Sequence, residues 1–177
     1  MMRLSKFTLF LSIYVILSSY FMQQVWTTWK AVFGINLLTL FFILLCLVAA
    51  SAILYKNINS EFNIKRIVLI CAICIWGFIF AWRQPYFSEK AHVLEFALLG
   101  WLAMRDLTKE GKHLLKDALI AFIFAAIIGY LTEGFQKFLP WRVYDVRDII
   151  TNVLGGMLGV ILFVLSHTRL CSFIRLF

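Results

Sequence analysis

The residues best suited to chemistry lie in one segment, 129–159, between two strongly apolar runs. Glu133 and Gln136 end the first run, and Asp148 and Asn152 begin the second. Within each pair the spacing of three or four residues places both side chains on one face of a helix. Ionisable groups beside membrane-length apolar runs are costly to bury, so they mark a candidate functional site.

A second polar pair, His92 and Glu95, begins another apolar run, and its spacing of three residues predicts a shared helix face. A histidine beside a carboxylate can serve in general acid–base catalysis. The same residue types can hold a divalent metal, so the sequence leaves a metal or other cofactor unassigned. We take Glu133, His92 and Asp148 as the candidate catalytic residues.

Two arginines, Arg142 and Arg147, lie in the loop between the two apolar runs. Guanidinium groups bind phosphate or carboxylate through paired hydrogen bonds, so we assign Arg142 to anion contact. Asp148 and Asn152 would orient the ligand. The full set of predicted binding residues is Arg142, Gln136, Asn152, Glu95 and Arg147.

A structural alternative exists for most of these residues. Arg142, Asp145, Arg147 and Asp148 could form an ion-pair network that fastens the loop to the helix ends. His92 could be an interfacial histidine with a single hydrogen bond. These readings stay open beside the functional one.

Composition indicates the elements that must position these side chains. The chain has 177 residues, 63% of them hydrophobic and 15% charged, with a mean hydropathy of +0.90. These values predict an all-α, polytopic transmembrane bundle. Residues 1–84 would hold helices one to three and residues 85–177 helices four to six, within one membrane domain. The six apolar runs are Phe7–Phe21, Ala31–Tyr55, Ile67–Trp82, 89–104, Ala118–Leu131 and Ile149–Ser166.

The charge pattern predicts the orientation. Of the 17 Lys and Arg residues, eleven fall in the tails and loops on the side of the two termini. By the positive-inside rule both termini are cytoplasmic, and the polar site lies at the outer face. The net charge of +8 then indicates attraction to membrane lipids rather than to nucleic acid. Cys71 and Cys74 form a C-x-x-C inside an apolar run, where we expect packing residues.

Glycines follow the polar residues of the sixth predicted helix. Gly155 and Gly159 form a G-x-x-x-G pattern, with Gly156 beside them. Such a stripe lets neighbouring helices approach closely. We expect it to pack the sixth helix against the fourth and fifth, and the same surface could support an oligomer.

Two stretches together resemble a known family. EKAHVLEFALLG at 89–100 and TEGFQKFLPWRVYDVRDIITNVLGGMLG at 132–159 are similar to the VanZ-like proteins, small bacterial membrane proteins named after a teicoplanin-resistance protein. The resemblance covers roughly residues 85–165. Two positions depart from the family pattern: Phe96 stands where an aromatic hydroxyl is common, and Thr132 where an acidic residue is common.

The resemblance implies a multi-pass protein of the bacterial cytoplasmic membrane. It further implies a role in the cell envelope, linked to glycopeptide resistance or surface polysaccharide.

Three functional classes remain open at this stage, with catalysis undecided. The first is an envelope factor whose polar pocket binds or modifies a lipid-linked glycan or cell-wall precursor. The second is a non-enzymatic membrane protein in which the polar cluster is a folding clasp. The third, a small transporter, is less favoured because the polar residues gather at one face rather than at mid-membrane.

Overall fold

The computed structural model describes residues 4–60, 64–108, 113–140 and 145–167. Over these ranges the chain is all-α, which confirms the predicted fold class. Where six helices were predicted, the described chain has five, and the difference lies in the first, which contains both the first and second predicted runs. The helices are α1 (Lys6–Ser60), α2 (Ile64–Trp82), α3 (Phe87–Leu107), α4 (Leu114–Gln136) and α5 (Val146–His167).

Helix α1 bends sharply at Gly34. Its backbone there has φ 74° and ψ 162°, a region that essentially only glycine occupies. Trp26 and Phe42 both contact Phe87 of α3. The ring centroid of Phe87 lies 4.6 Å from that of Trp26 and 6.0 Å from that of Phe42. In a straight helix these two residues would lie roughly 24 Å apart. The bend therefore brings two arms together, and we call residues 6–33 the first arm and 35–60 the second arm.

Helix α5 occupies the centre of the bundle, where its glycines meet both neighbours. A Cβ built on Gly159 would lie 1.8 Å from the carbonyl oxygen of Ala97 in α3. A Cβ built on Gly156 would lie 2.7 Å from the Cβ of Ala125 in α4. The missing side chains thus allow α5 to approach α3 and α4 closely, as the glycine stripe suggested.

The first arm completes the bundle on the other side of α3 and α4. Its buried Val15 packs in one cluster with Phe96 and Leu99 of α3 and Ile128 of α4. Apolar burial of this kind is the main stabilising term in soluble cores, whereas in a membrane close packing takes its place. The first arm is therefore part of the same packed unit as the region that carries the site.

The helices share two ends, which we name by their contents. The site end holds Trp82, Phe87, Gln136 and Val146, and the tail end holds Ser5, Leu107, Leu114 and His167. Within the described ranges, α1, α2, α4 and α5 are long and apolar enough to cross a membrane. The cytoplasmic location of the termini stays a prediction.

A buried carboxylate fastens the tail end. Asp106 of α3 accepts hydrogen bonds from the Thr8 hydroxyl (2.5 Å) and from the Ser5 backbone N–H (2.8 Å). Arg105 contacts its second oxygen at 3.1 Å, and the Asp106 side chain is fully buried. Hydrogen bonds to a charged acceptor are stronger than neutral ones, so this group holds the start of the first arm against α3.

Candidate functional site

Three fully buried polar residues form the innermost part of the site. Gln136 donates its side-chain amide to Glu133 Oε1 over 3.1 Å, one helical turn along α4. Asn152 of α5 donates to the same oxygen over 3.3 Å. Glu133 and Asn152 are 0% exposed and Gln136 is 2% exposed. The two amide donors satisfy one oxygen of this buried side chain, and the Asn152 donor joins α5 to α4.

The side-chain oxygen of Asn152 has no hydrogen-bond donor within the described ranges. This oxygen, Oδ1, is buried. Leaving a buried acceptor unsatisfied costs about 1–3 kcal/mol. Such a group is a natural contact for a ligand hydroxyl or amine, or for an ordered water.

His92 and Glu95 form a second polar group on α3. The Nδ1 of His92 lies 3.0 Å from Glu95 Oε2, which confirms that the two residues share a helix face. The histidine is largely buried, whereas the Glu95 side chain is about one-fifth exposed. A carboxylate that binds Nδ1 orients the imidazole and leaves Nε2 available for another partner.

The three helices meet beside Phe96. A Cβ built on Gly129 of α4 would lie 3.0 Å from the Asn152 Cβ and 3.5 Å from the Phe96 ring. A Cβ on Gly155 of α5 would lie 2.9 Å from the Val93 carbonyl oxygen of α3. The His92 ring lies 6.3 Å from the Phe96 ring, centroid to centroid. The packing thus brings both polar groups to the same end of the bundle.

The mouth of the site is charged. Asp148 lies half-buried in the first turn of α5, and Glu89 lies in the first turn of α3. The Glu89 carboxyl lies within electrostatic range of the Asp148 carboxyl and of the Arg147 guanidinium. The mouth therefore carries groups of both charge signs, so it can contact an anionic group of a ligand as well as its hydrogen-bond donors.

Arg147 forms an ion pair with Asp145. Its Nη2 lies 2.8 Å from Asp145 Oδ2, and its backbone N–H also donates to that carboxylate. The hydrogen bonds from the Arg147 guanidinium lower the pKa of Asp145 below its ordinary value. This pair agrees with the ion-pair alternative for these two residues. The predicted anion contact, Arg142, lies outside the described residues.

The sequence analysis missed Tyr14 in the first arm. Tyr14 packs against the cluster that contains Phe96 and lies within electrostatic range of Glu95. It therefore brings a phenol near the site from a different helix, whereas Phe96 itself is fully buried. A stripe of buried polar residues at helical spacing, Thr8, Ser12 and Ser19, was the available signal that the first arm packs against the bundle.

The second departure, Thr132, is also buried, and its hydroxyl donates to the Ile128 carbonyl within α4. Its side chain therefore serves the helix itself. Among the residues that the structure describes, no three His, Cys, Asp or Glu side chains gather closely enough to hold a metal ion.

The fold and the site together define a multi-pass helical membrane protein with a buried polar site at one end. The chain belongs to the VanZ/LLP1 family, whose sequence profile matches residues 2–167. The match extends well beyond the region 85–165 that carried the resemblance, and it includes both arms of α1. This extent agrees with the packing of the first arm against the site helices.

A similar protein occurs in a eukaryote. The uncharacterized protein C11E3.10 of Schizosaccharomyces pombe is 30% identical over 115 residues, which is 62% of this chain and 67% of the yeast protein. No solved structure matches the chain.

Proposed function

We propose that the polar site binds the head of a lipid-linked or glycan ligand at the membrane surface. The observation that carries this proposal is the buried group Glu133, Gln136 and Asn152, which includes the unused Asn152 Oδ1. His92 and Glu95 lie at the same end of the bundle and are more accessible. A polar group placed this deep beside apolar helices is suited to a ligand that is itself partly embedded in the bilayer.

The proposed roles follow from the contacts. Glu133 accepts hydrogen bonds and would accept one from a ligand hydroxyl. When His92 Nδ1 carries the proton and donates to Glu95, Nε2 presents a lone pair to the ligand. Asp148 at the mouth and Arg142 in the adjoining loop would contact the part of the ligand nearest the membrane surface. If the ligand is modified as well as bound, Glu133 and His92 are the acid–base pair.

Ligand-induced thermal stabilisation of the purified protein tests this proposal. Suitable probes are undecaprenyl phosphate, N-acetylglucosamine and inorganic phosphate. A ligand at 100 times its Kd stabilises the native state by about 2.7 kcal/mol, a readily measured rise in Tm. We expect at least one probe to stabilise the wild type, and we expect Glu133→Gln to remove the effect. The proposal is wrong if no probe stabilises the protein, or if the effect survives in both Glu133→Gln and Asn152→Ala.

The interhelical Asn152–Glu133 hydrogen bond favours a second candidate, in which the polar cluster is a folding clasp. The substitution Glu133→Gln separates the two, because a neutral amide oxygen accepts weaker hydrogen bonds than a carboxylate and would weaken a clasp. The clasp predicts an unchanged ligand response and lower Tm and abundance. The binding site predicts a lost ligand response with Tm nearly unchanged.

We also propose that the protein works in a bacterial cytoplasmic membrane with the site at the outer face. The resemblance to the bacterial VanZ-like proteins and the charge pattern support this placement. Reporter fusions after His167 and within 137–145 test it: the first should report the cytoplasm and the second the outside. A link to glycopeptide resistance is tested by expression in a teicoplanin-susceptible host. The expected rise in resistance should be absent with Glu133→Gln at equal abundance.

A further inference from the structure

A long apolar groove lies on a different face of the bundle from the polar site. The second arm, α2, α3 and α5 enclose a cavity of about 640 Å³. Cys46 and Ala50 line it from the second arm, Cys74 and Phe78 from α2, and Ala97 and Trp101 from α3. The groove lies between candidate membrane spans, so the surrounding medium at this depth is hydrocarbon.

The groove is separate from the polar site because the two use opposite faces of α3. Successive residues of a helix are rotated by about 100°. On that basis Leu94, Ala97 and Trp101, which line the groove, point roughly half a turn away from His92 and Glu95. The groove and the polar site are therefore distinct candidates for occupation.

A lysine lies one helical turn beyond the groove-lining residues of α3 toward the site end, at a position that we call the rim of the groove. Lys90 precedes Leu94 by one turn on the groove face of α3. Its Nζ donates to the Trp82 carbonyl (2.6 Å) and to the Gln84 carbonyl, and it lies 5.5 Å from the centroid of the Trp82 ring. An ammonium has three N–H donors, so one remains for a ligand after these two bonds.

The rim carries a net positive charge. Arg83, at the end of α2, is exposed beside the residues that hold Lys90. Glu89 interacts with Lys90 and offsets part of its charge, and Arg83 restores the positive balance. An apolar groove at membrane depth that ends in two cations at headgroup level complements one molecule in particular: a lipid with hydrocarbon chains and an anionic head.

We propose that this groove holds an acyl chain of an anionic phospholipid from the surrounding bilayer, with its phosphate against Lys90 and Arg83. A helix from a second copy is the competing occupant, but it would bring no phosphate to Lys90 and Arg83. A single acyl chain is much thinner and needs no hydrogen bonds, which the groove does not offer.

Native mass spectrometry with two phospholipids tests the proposal. The purified protein is titrated with phosphatidylglycerol and with phosphatidylcholine of the same chains. We expect preferential binding of phosphatidylglycerol. Removal of one basic contact should weaken that binding about fivefold in Lys90→Gln and in Arg83→Gln, with phosphatidylcholine unchanged. Lys90→Arg should keep the preference, and Lys116→Gln, an exposed lysine of α4, should have no effect.

A matched pair on the second arm tests the groove itself. Ala50 lines the groove, whereas Ala52 is exposed on the other side of the same arm. Ala50→Phe should displace both lipids, and Ala52→Phe should displace neither. Equal binding of the two lipids, or an Ala50→Phe variant that binds as the wild type does, would overturn the proposal. So would a dimer that Ala50→Phe dissociates while lipid binding stays the same, because the occupant would then be a second copy.

Alkylation of native thiols provides a readout that needs no substitution. Cys46 and Cys74 carry free thiols and line the groove, and Cys71 carries a free thiol outside it. Added phosphatidylglycerol should slow the reaction of a small maleimide with Cys46 and Cys74 several-fold and leave Cys71 unchanged. Equal reaction rates with and without the lipid would count against a chain in the groove.

Discussion

Asn152 of α5 donates its side-chain amide to Glu133 of α4 over 3.3 Å, and neither residue is exposed to solvent. This hydrogen bond joins the two helices that flank the polar loop. It can form because Gly129 leaves room for the Asn152 side chain, whose Cβ would lie 3.0 Å from a Cβ at that position. Small residues and buried polar residues therefore act together at this seam.

The Asn152–Glu133 hydrogen bond should contribute measurably to stability. Asn152→Ala removes an amide donor from a buried carboxylate, and we expect a loss of about 1–2 kcal/mol. Thermal unfolding in detergent measures it. Asn36→Ala, at an exposed position in α1, is the control and should stay within about 0.5 kcal/mol of the wild type. Equal Tm values for the two variants would show that the bond adds nothing.

The close approach of α3 and α5 should make Gly159 intolerant of any side chain. In Gly159→Ala the new Cβ would meet the backbone oxygen of Ala97, which cannot move independently of its helix. We expect a loss of about 3 kcal/mol or more, seen as low abundance and a low Tm. Gly134→Ala, with no atom within 4 Å of the new Cβ, should be neutral or up to about 1 kcal/mol stabilising. Similar behaviour of both variants would contradict the close packing.

The bend in α1 should depend on Gly34. Its positive φ is strained for any L side chain, so Gly34→Ala should cost about 1–3 kcal/mol. Spin labels at the exposed positions Leu17 and Val48 report the separation of the two arms. We expect a lower Tm and a broader or longer distance distribution than in the wild type. Gly134→Ala, again as control, should leave that distribution unchanged, and an unchanged distribution in Gly34→Ala would argue against a glycine-dependent bend.

The Asp106 group should hold the first arm in place. Asp106→Ala removes the acceptor for Ser5 and Thr8, and we expect a loss of about 2 kcal/mol. Hydrogen exchange should accelerate in the first turns of the first arm. Asp117→Ala, which removes only a helix-dipole interaction in the first turn of α4, should cost ~0.3–1 kcal/mol and leave exchange in the first arm as it was. Slow exchange in Asp106→Ala would refute the role of this group.

The Asp145–Arg147 pair should appear in a pH titration. Because hydrogen bonds from Arg147 lower the pKa of Asp145, the carboxylate form is favoured in the folded state. The resulting stabilisation is present above the unfolded pKa of Asp145 and is lost as the pH falls through its lower folded value. NMR titration of the Asp145 carboxyl should give a pKa below 3.8, and Arg147→Gln should raise it toward that value. If the pKa of Asp145 does not change in Arg147→Gln, the ion pair does not stabilise the Asp145 carboxylate.

The sequence by itself determined the all-α class, the membrane-length apolar runs and the positions of the polar residues along them. These features depend on composition and on helical periodicity, which are local properties. The pairing of His92 with Glu95 and of Glu133 with Gln136 was predictable for the same reason, because a spacing of three residues on a helix leaves one geometry.

Only the tertiary structure decided which of those residues come into contact between helices. That Asn152 bonds to Glu133 and that Tyr14 lies within electrostatic range of Glu95 both depend on how the helices rotate against one another. That rotation is set by close packing at Gly129, Gly155 and Gly159, which no single segment specifies. The join of two apolar runs into α1 likewise depended on one backbone conformation at Gly34, where apolar patterning predicts only two separate spans.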